Sequence, residues 1–520
     1  MDRSESNLTM SFIKGAASLS LAALLVKILG VAYKIPLSHI LGDDGMGYFN
    51  TAYTVYTFFF LICTAGVPKA ITLLVTESTK EKNKSTGSLL KTAKLTFIII
   101  SMAIAVLFAS LSFSIAGFIG NRRAAFAMIA IAPAIPFIAG ASIYRGYLNG
   151  YMRFGTVAVS QFIEAALKLA LGLAISAIGT HLNLSSEYIA AGAISGITLG
   201  SIVTYIHLLI ASKGLNKVEN IGQSSEFNKA LIREIFKISL PITLSSGVMS
   251  LVNIIDLSVI IRGLERSGYT ENLSTMLYGN YTTLAVPMFN FVLSVVSSIC
   301  ISALPLLSEL AVSKRETELK NSIIYASKMV SFFAIPATII FAFFSREVLV
   351  ILFDRGSVAL GSTLLTMLSP SVALIALLMI VNTALEAKGN YIIPLLSMSI
   401  GGLAKIIAST ILVANTDLAI WGAPIGTFIS YVASVSFSLA IYQRCIGRVW
   451  ELANGFIKSA VCATIAVVPT MALHNYIDNV NLTLISAFLL LGVYGVFYLL
   501  LSLLIDNFPL KVRKTCQNRQ

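Results

Sequence analysis

The sequence predicts an all-α, polytopic membrane protein with about fourteen transmembrane helices. It predicts two six-helix lobes related by a parallel repeat, plus two extra C-terminal helices. Three observations lead there. Of the 520 residues, 56% are hydrophobic and only 12% charged, where a soluble globular domain carries about 25% charged residues; the mean hydropathy is +0.84. Apolar runs of spanning length recur along the whole chain. A stretch of the first half also returns, in the same order, in the second.

A spanning helix needs about 20 mostly apolar residues. Such segments lie at 11–33, 48–76, 92–118, 124–148, 155–179, 187–211 and 235–261, and then at 278–307, 323–345, 360–385, 391–413, 419–442, 456–474 and 483–505. They are too long and too continuous for the alternating strands of a membrane β-barrel. The polar start, MDRSESNLTM, leads into an apolar run longer than a signal-peptide core, so it reads as a retained first helix.

An even number of spans places both termini on one side. Most of the 37 Lys and Arg fall in the termini and even-numbered connections; the odd-numbered ones hold Lys34, Arg122, Arg123, Arg262, Arg266, Arg346 and Arg355. Positive charge stays on the cytoplasmic side, so both ends are expected there, in the cell membrane. The net charge of +13 is spread between apolar segments and forms no continuous basic face, which argues against a nucleic-acid partner. No connection is long enough for a soluble domain. The longest, 212–234, is polar and basic, and divides a first lobe (1–211, helices 1–6) from a second (235–442, helices 7–12); residues 443–520 supply helices 13 and 14 and a basic tail.

The repeat sets YRGYLNGYMRFGTVAVSQFIEAALKL (144–169) against VNTALEAKGNYIIPLLSMSIGGLAKI (381–406). Each has a helix end, a Gly-containing turn and a helix with a buried lysine: Lys168 in the first, Lys405 in the second. The following helices open with GAISG (192–196) and GAPIG (422–426), and Pro133 matches Pro370. The offset of six helices is even, so the copies share one orientation. Parallel repeats of this kind place a binding site near the midplane between lobes.

Charges deep in the spans are the candidate functional residues: Lys27, Glu164, Lys168 and Lys405, with Asp256 nearer the outer end of its helix. A charge at mid-bilayer costs about 2.5–3.5 kcal/mol, so such groups face a bundle interior or a wet cavity. Glu164 and Lys168 stand at i,i+4 with the acid first, which also suits a local ion pair. Lys405 has no acid in its own helix, Lys27 could snorkel to a headgroup, and Asp256 could pair with Arg262. Lys69 and Arg145 sit near cytoplasmic helix ends, as gate or headgroup contacts or as simple anchors. Deep lysines outnumber deep acids, and a cavity so lined suits an anion, phosphate or pyrophosphate first.

There is no HExxH, GxSxG, Gly-Lys phosphate loop or DxD, and the four histidines are scattered. The sequence therefore points to no enzyme, no cofactor and no metal site. Five cysteines without a CxxC read as free thiols.

The stretch KGAASLSLAALLVKILGVAYKIPLSHILGDDGMGYFNTAYTVY (14–56), with TAGVPKAITLLVTES (64–78), strongly resembles the start of stage V sporulation protein B-like polysaccharide flippases. These belong with the lipid II flippases in the multidrug/oligosaccharidyl-lipid/polysaccharide exporter superfamily. The resemblance implies a flippase that carries an undecaprenyl-pyrophosphate-linked oligosaccharide, lipid II first, from the inner to the outer leaflet by alternating access, in cell-wall or spore-cortex synthesis. Its partners would be the lipid-linked sugar, the bilayer and cell-wall synthesis proteins. Lipid II flippases carry a basic cavity residue in helix 1 within a pattern like SRVLG. The matching VKILG gives that role to Lys27, and Lys34 stands near the next basic position of the pattern. TVYTFFFLICTAG (54–66) lacks the basic residue of helix 2, which shifts weight onto Lys168 and Lys405. Two other functions fit parts of the pattern: a cation-coupled multidrug exporter using Glu164 or Asp256, and a membrane-embedded glycosyltransferase or polymerase. The short outer loops disfavour the latter.

Overall fold

The structure is a computed structural model and describes residues 3–81, 86–216, 227–353, 358–477 and 484–505. Within these ranges, the side chains of residues 3–25, 27, 28, 31, 32, 79–81, 214–216, 245, 248, 249, 476 and 477 lie outside the described residues. The described chain is almost entirely helical, without strands, because hydrocarbon leaves backbone amides no partner but the helix itself.

The first long helix, α1 (Arg3–Thr64), is broken at Gly42, whose φ of 70° and ψ of −179° only glycine adopts readily. It thus holds the first predicted segment and most of the second. α2 (Val67–Glu81) follows with Pro68 in its first turn, where no amide hydrogen is needed. Then come α3 (Thr86–Ile119), α4 (Ala124–Ile131) and α5 (Ala134–Gly150), the last two divided at Pro133, followed by α6 (Phe154–His181) and α7 (Ser186–Asn216). α8 (Lys229–Arg266) is continuous through Pro241.

α9 (Glu271–Asn280) passes through a π-helical turn (Tyr281–Ala285) into α10 (Val286–Val312), so the eighth segment begins earlier than its apolar core suggests. The rest are α11 (Glu316–Phe343), α12 (Ser345–Leu352), α13 (Val358–Ala387), α14 (Ile392–Val413), α15 (Gly422–Cys445), α16 (Val449–Ile477) and α17 (Leu484–Leu504).

Among the described residues, twelve helical stretches are long and apolar enough to cross a membrane. They correspond to the second to sixth and eighth to fourteenth predicted segments. The seventh lies within α8. The first lies in α1 ahead of Tyr33, largely outside the described side chains. Side chains such as Ile99, Phe118, Ile301 and Ile485 are largely exposed along these helices. Apolar area on that scale is stable only against lipid, and the protein is a multi-pass membrane protein.

The chain divides into two units, Met1–Arg262 with Thr270–Gly279, and Gly263–Tyr269 with Asn280–Gln520. Most of α8 falls in the first unit. The physical reason is local: Phe236 stacks on Phe97 of α3 at 5.3 Å, and Leu231 and Ile235 bury in one core with Ile71, Leu89 and Tyr147. In the second unit, α16 and α17 pack on α11 through Phe332, Cys462, Tyr494 and Tyr498. The Tyr498 hydroxyl donates to the Phe332 carbonyl at 2.9 Å, and His474 bonds Glu347 of α12 at 2.7 Å.

The repeat is visible as two matching hairpins. In the first unit α6 meets α7 where Gly196 lies against Gly172; in the second α14 meets α15 where Gly426 lies against Ser409. Residues this small let helix backbones approach closely inside a membrane.

Candidate functional site

The Gly42 break folds α1 back on itself and brings together two residues equidistant from it: the Lys34 ammonium donates to Asn50 Oδ1 at 3.4 Å. The second half of α1 also carries a row of rings one turn apart, Phe49, Tyr53, Tyr56 and Phe60, with successive centroids 6.1, 6.1 and 5.9 Å apart. Tyr33 closes on Phe49 edge-on at 6.3 Å, and its hydroxyl donates to the Ala193 carbonyl of α7.

The α5–α6 hairpin turns at Tyr151–Arg153, with Met152 at a positive φ of 57°. Ser160 and Glu164 then lie on one face of α6, a turn apart. The Arg145 guanidinium of α5 forks across both, donating from Nε to Ser160 Oγ at 3.0 Å and from Nη2 to Glu164 Oε2 at 2.6 Å. Side-chain exposures of 15% and 23% make this a partly desolvated, charge-assisted pair. The local Glu164–Lys168 pair that spacing allows is not the one formed. Lys168 instead places Nζ 5.8 Å from the centre of the Tyr53 ring, within cation–π range, and among the described residues it is in no ion pair. Lys34, bonded to Asn50, and Lys168, over Tyr53, thus meet the same turn of α1.

The first unit therefore brings Lys34, Arg145, Glu164 and Lys168 into one neighbourhood. Arg145 neutralises Glu164, and the ammonium groups of Lys34 and Lys168 add positive charge. Ammonium groups held near one another offer an anion two simultaneous contacts, and repel cations. Asn50, Tyr53 and Ser160 belong to the same group and were not singled out from the sequence. Their signal there is an amide and an aromatic a turn apart within NTAYTVY, and a serine a turn ahead of Glu164.

Other expected residues stand elsewhere. Lys405 is half-buried on α14 in the second unit. Position for position, the repeat copies Lys168 as Lys405 but replaces Arg145 with Asn382 and Glu164 with Gly401. Asn382 accepts from Ser438 at 2.9 Å, and Gly401 packs against Ser430 and Ser434, so the second copy keeps the lysine without the ion pair. Asp256 is buried on α8, and Lys69 is exposed on α2. The Lys27 side chain lies outside the described residues.

Among the described residues no group of three or more His, Cys, Asp or Glu is placed to hold a metal ion. A groove of about 710 Å³ along α3, lined by Ile98, Ile99, Met102, Val106 and Leu107, is apolar and holds none of the site residues.

Known proteins carry this arrangement of helices. Stage V sporulation protein B of Bacillus subtilis (strain 168) is 22% identical over 464 residues, covering 88% of this chain and 89% of that protein. Lipid II flippase MurJ of the same organism is 22% identical over 465 residues, covering 86% and 85%. Among solved structures, a lipid II flippase MurJ in an inward closed conformation superposes with a TM-score of 0.71 at 16% identity, over 94% of this chain and 99% of that one. An inward-facing multidrug resistance MATE family transporter of the MOP superfamily gives 0.65 at 14% identity, over 85% and 99%. At these identities the structural likeness establishes a shared fold. The MurJ proteins are flippases and the MATE protein a transporter, none of them an enzyme by name. The polysaccharide biosynthesis protein family matches residues 12–311; that is more than half of the chain, and this protein is a member of that family.

Proposed function

We propose that the protein is a flippase that moves an undecaprenyl-pyrophosphate-linked oligosaccharide, lipid II first, from the inner to the outer leaflet by alternating access. The observation that carries this reading is the placement of Lys34 on Asn50 and of Lys168 over Tyr53, one turn of α1 apart, beside a Glu164 already neutralised by Arg145. Such a site supplies positive charge within a membrane-spanning unit, where a charged group costs about 2.5–3.5 kcal/mol and so faces a bundle interior or a wet cavity. A diphosphate is the anion that fits two lysines.

Lys27 would extend the cationic lining of the first unit, with Asp256 tuning it and Lys69 meeting the headgroup at the cytoplasmic end; Lys405 would offer an anion a like charge in the second unit. Both termini would be cytoplasmic. Moving two negative charges outward down an inside-negative potential of about 100 mV releases ~4–5 kcal/mol, so ATP is unnecessary. Similarity to a sporulation protein and to a lipid II flippase supports the substrate class, and cell-wall synthesis proteins are the expected partners. The buried Asp256 favours a second reading, a cation-coupled drug exporter; the excess of lysine in the first unit weighs against it.

The test is transport of fluorescent lipid II across proteoliposomes. Lys34→Ala combined with Lys168→Ala is expected to abolish it, and Lys27→Ala combined with Lys405→Ala to slow it. Wild-type rates in the first double variant would overturn the proposed site.

A further inference from the structure

Tyr53 stands apart from the other rings of its row. Phe49 and Tyr56, a turn away on either side, are 3% and 4% exposed, whereas Tyr53 is 36% exposed. The Phe49 ring lies within 7° of parallel to it, and Phe49 is in turn braced by Tyr33, whose hydroxyl is tied to α7. The Tyr53 ring is therefore fixed in place while part of its surface stays open. A tyrosine facing acyl chains would explain exposure alone. It would not explain the neighbours: Lys168 Nζ is 5.8 Å from the ring centre, and Lys34 is bonded to Asn50, one turn earlier on the same helix. Ammonium groups this close place the open side of the ring on a polar space rather than on lipid.

A rigid aromatic face beside an ammonium is a composite recognition element. The ring face packs against the C–H surface of a pyranose with little loss of side-chain freedom, and the ammonium meets a phosphate. On a sugar 1-diphosphate those two groups are adjacent, separated by a distance of the same order as that between the Tyr53 ring and Lys168 Nζ. The cation–π contact holds Lys168 beside the ring, ready to exchange that contact for a phosphate oxygen.

We propose that Tyr53 is the platform for the first sugar ring of the transported lipid, and so discriminates a glycosylated polyprenyl diphosphate from the bare one. This rests on the flippase reading above and assigns the sugar subsite within it. The test is equilibrium binding of two probes, lipid II and undecaprenyl diphosphate, to the full-length protein in nanodiscs. Tyr53→Leu is expected to weaken lipid II by about tenfold, the size of one well-placed aromatic contact, while undecaprenyl diphosphate changes by less than about twofold. Tyr53→Phe retains the ring and the preference. Lys168→Ala weakens both probes. Retained binding of the bare diphosphate shows that the Leu variant is folded.

Equal weakening of both probes by Tyr53→Leu would mean that the ring only positions Lys168, and would overturn the assignment; so would unchanged affinity for both. Failure of the wild-type protein to bind either probe is a different result, which would instead remove the flippase reading.

Discussion

Removing Arg145 tests how the first unit disposes of its buried charge. Its guanidinium makes one charge-assisted bond to Glu164 at 2.6 Å and a second to Ser160 at 3.0 Å, with both members of the ion pair less than a quarter exposed. A hydrogen bond to a charged group contributes about 1.5–3 kcal/mol, and stripping one partner leaves the other desolvated. Arg145→Met should therefore destabilise the protein by roughly 2–3 kcal/mol. Glu164→Leu should cost about 2 kcal/mol, and the double variant much less than the sum, a coupling of ~1–2 kcal/mol. The assay is equilibrium unfolding in mixed micelles by SDS titration, run as a double-mutant cycle. Binding of undecaprenyl diphosphate adds an independent readout. Arg145→Met leaves a bare carboxylate near Lys168 and should weaken the anion, whereas Glu164→Gln removes negative charge and should not. Additivity of the two stability changes to within about 0.5 kcal/mol would refute the pairing, and a cycle between Glu164 and Lys168 would then be expected to show the coupling instead.

Gly196→Ala places its new methyl 2.6 Å from the Gly172 Cα and 2.9 Å from the Lys168 carbonyl. Backbone cannot yield as a side chain does, so a loss of about 1–3 kcal/mol is expected in the same titration; Gly155→Ala, in α6 with open space around it, should cost nothing or stabilise. Gly42→Ala forces an alanine into a conformation open only to glycine, and should cost about 1–3 kcal/mol while loosening the Lys34–Asn50 contact. It should also weaken binding of undecaprenyl diphosphate. Cys445 is exposed and should react with a maleimide within minutes in the folded protein, while the buried Cys63, Cys300 and Cys462 stay protected until it unfolds.

The apolar segments were legible because a bilayer forces each one to satisfy its own backbone, so hydropathy and length suffice. Element ends were less so. Hydropathy does not register the break at Gly42, the division at Pro133 or the π-helical turn at Tyr281–Ala285, since none interrupts the apolar run. The site was half legible. Lys168 and Glu164 were found because charge in an apolar helix is conspicuous. Lys34 entered through a family resemblance, and Asn50 and Tyr53 passed unnoticed because an amide and a tyrosine are ordinary in membrane helices. Spacing suggested Lys168 as the partner of Glu164; the α5–α6 turn supplied Arg145 instead, whose fork also reaches Ser160.

By itself, the sequence determined that this chain crosses a membrane many times, that a stretch of its first half recurs in its second, and that lysine outnumbers acid within the apolar segments. These follow from composition and period, which each segment carries on its own. Only the tertiary structure decided that Arg145 neutralises Glu164, that Lys168 rests on Tyr53, and that Lys34 meets Asn50 across the Gly42 break. Each of those depends on which helix faces meet across a turn. A charge chooses its partner by distance and desolvation in space, and neither is written in the separation of two residues along the chain.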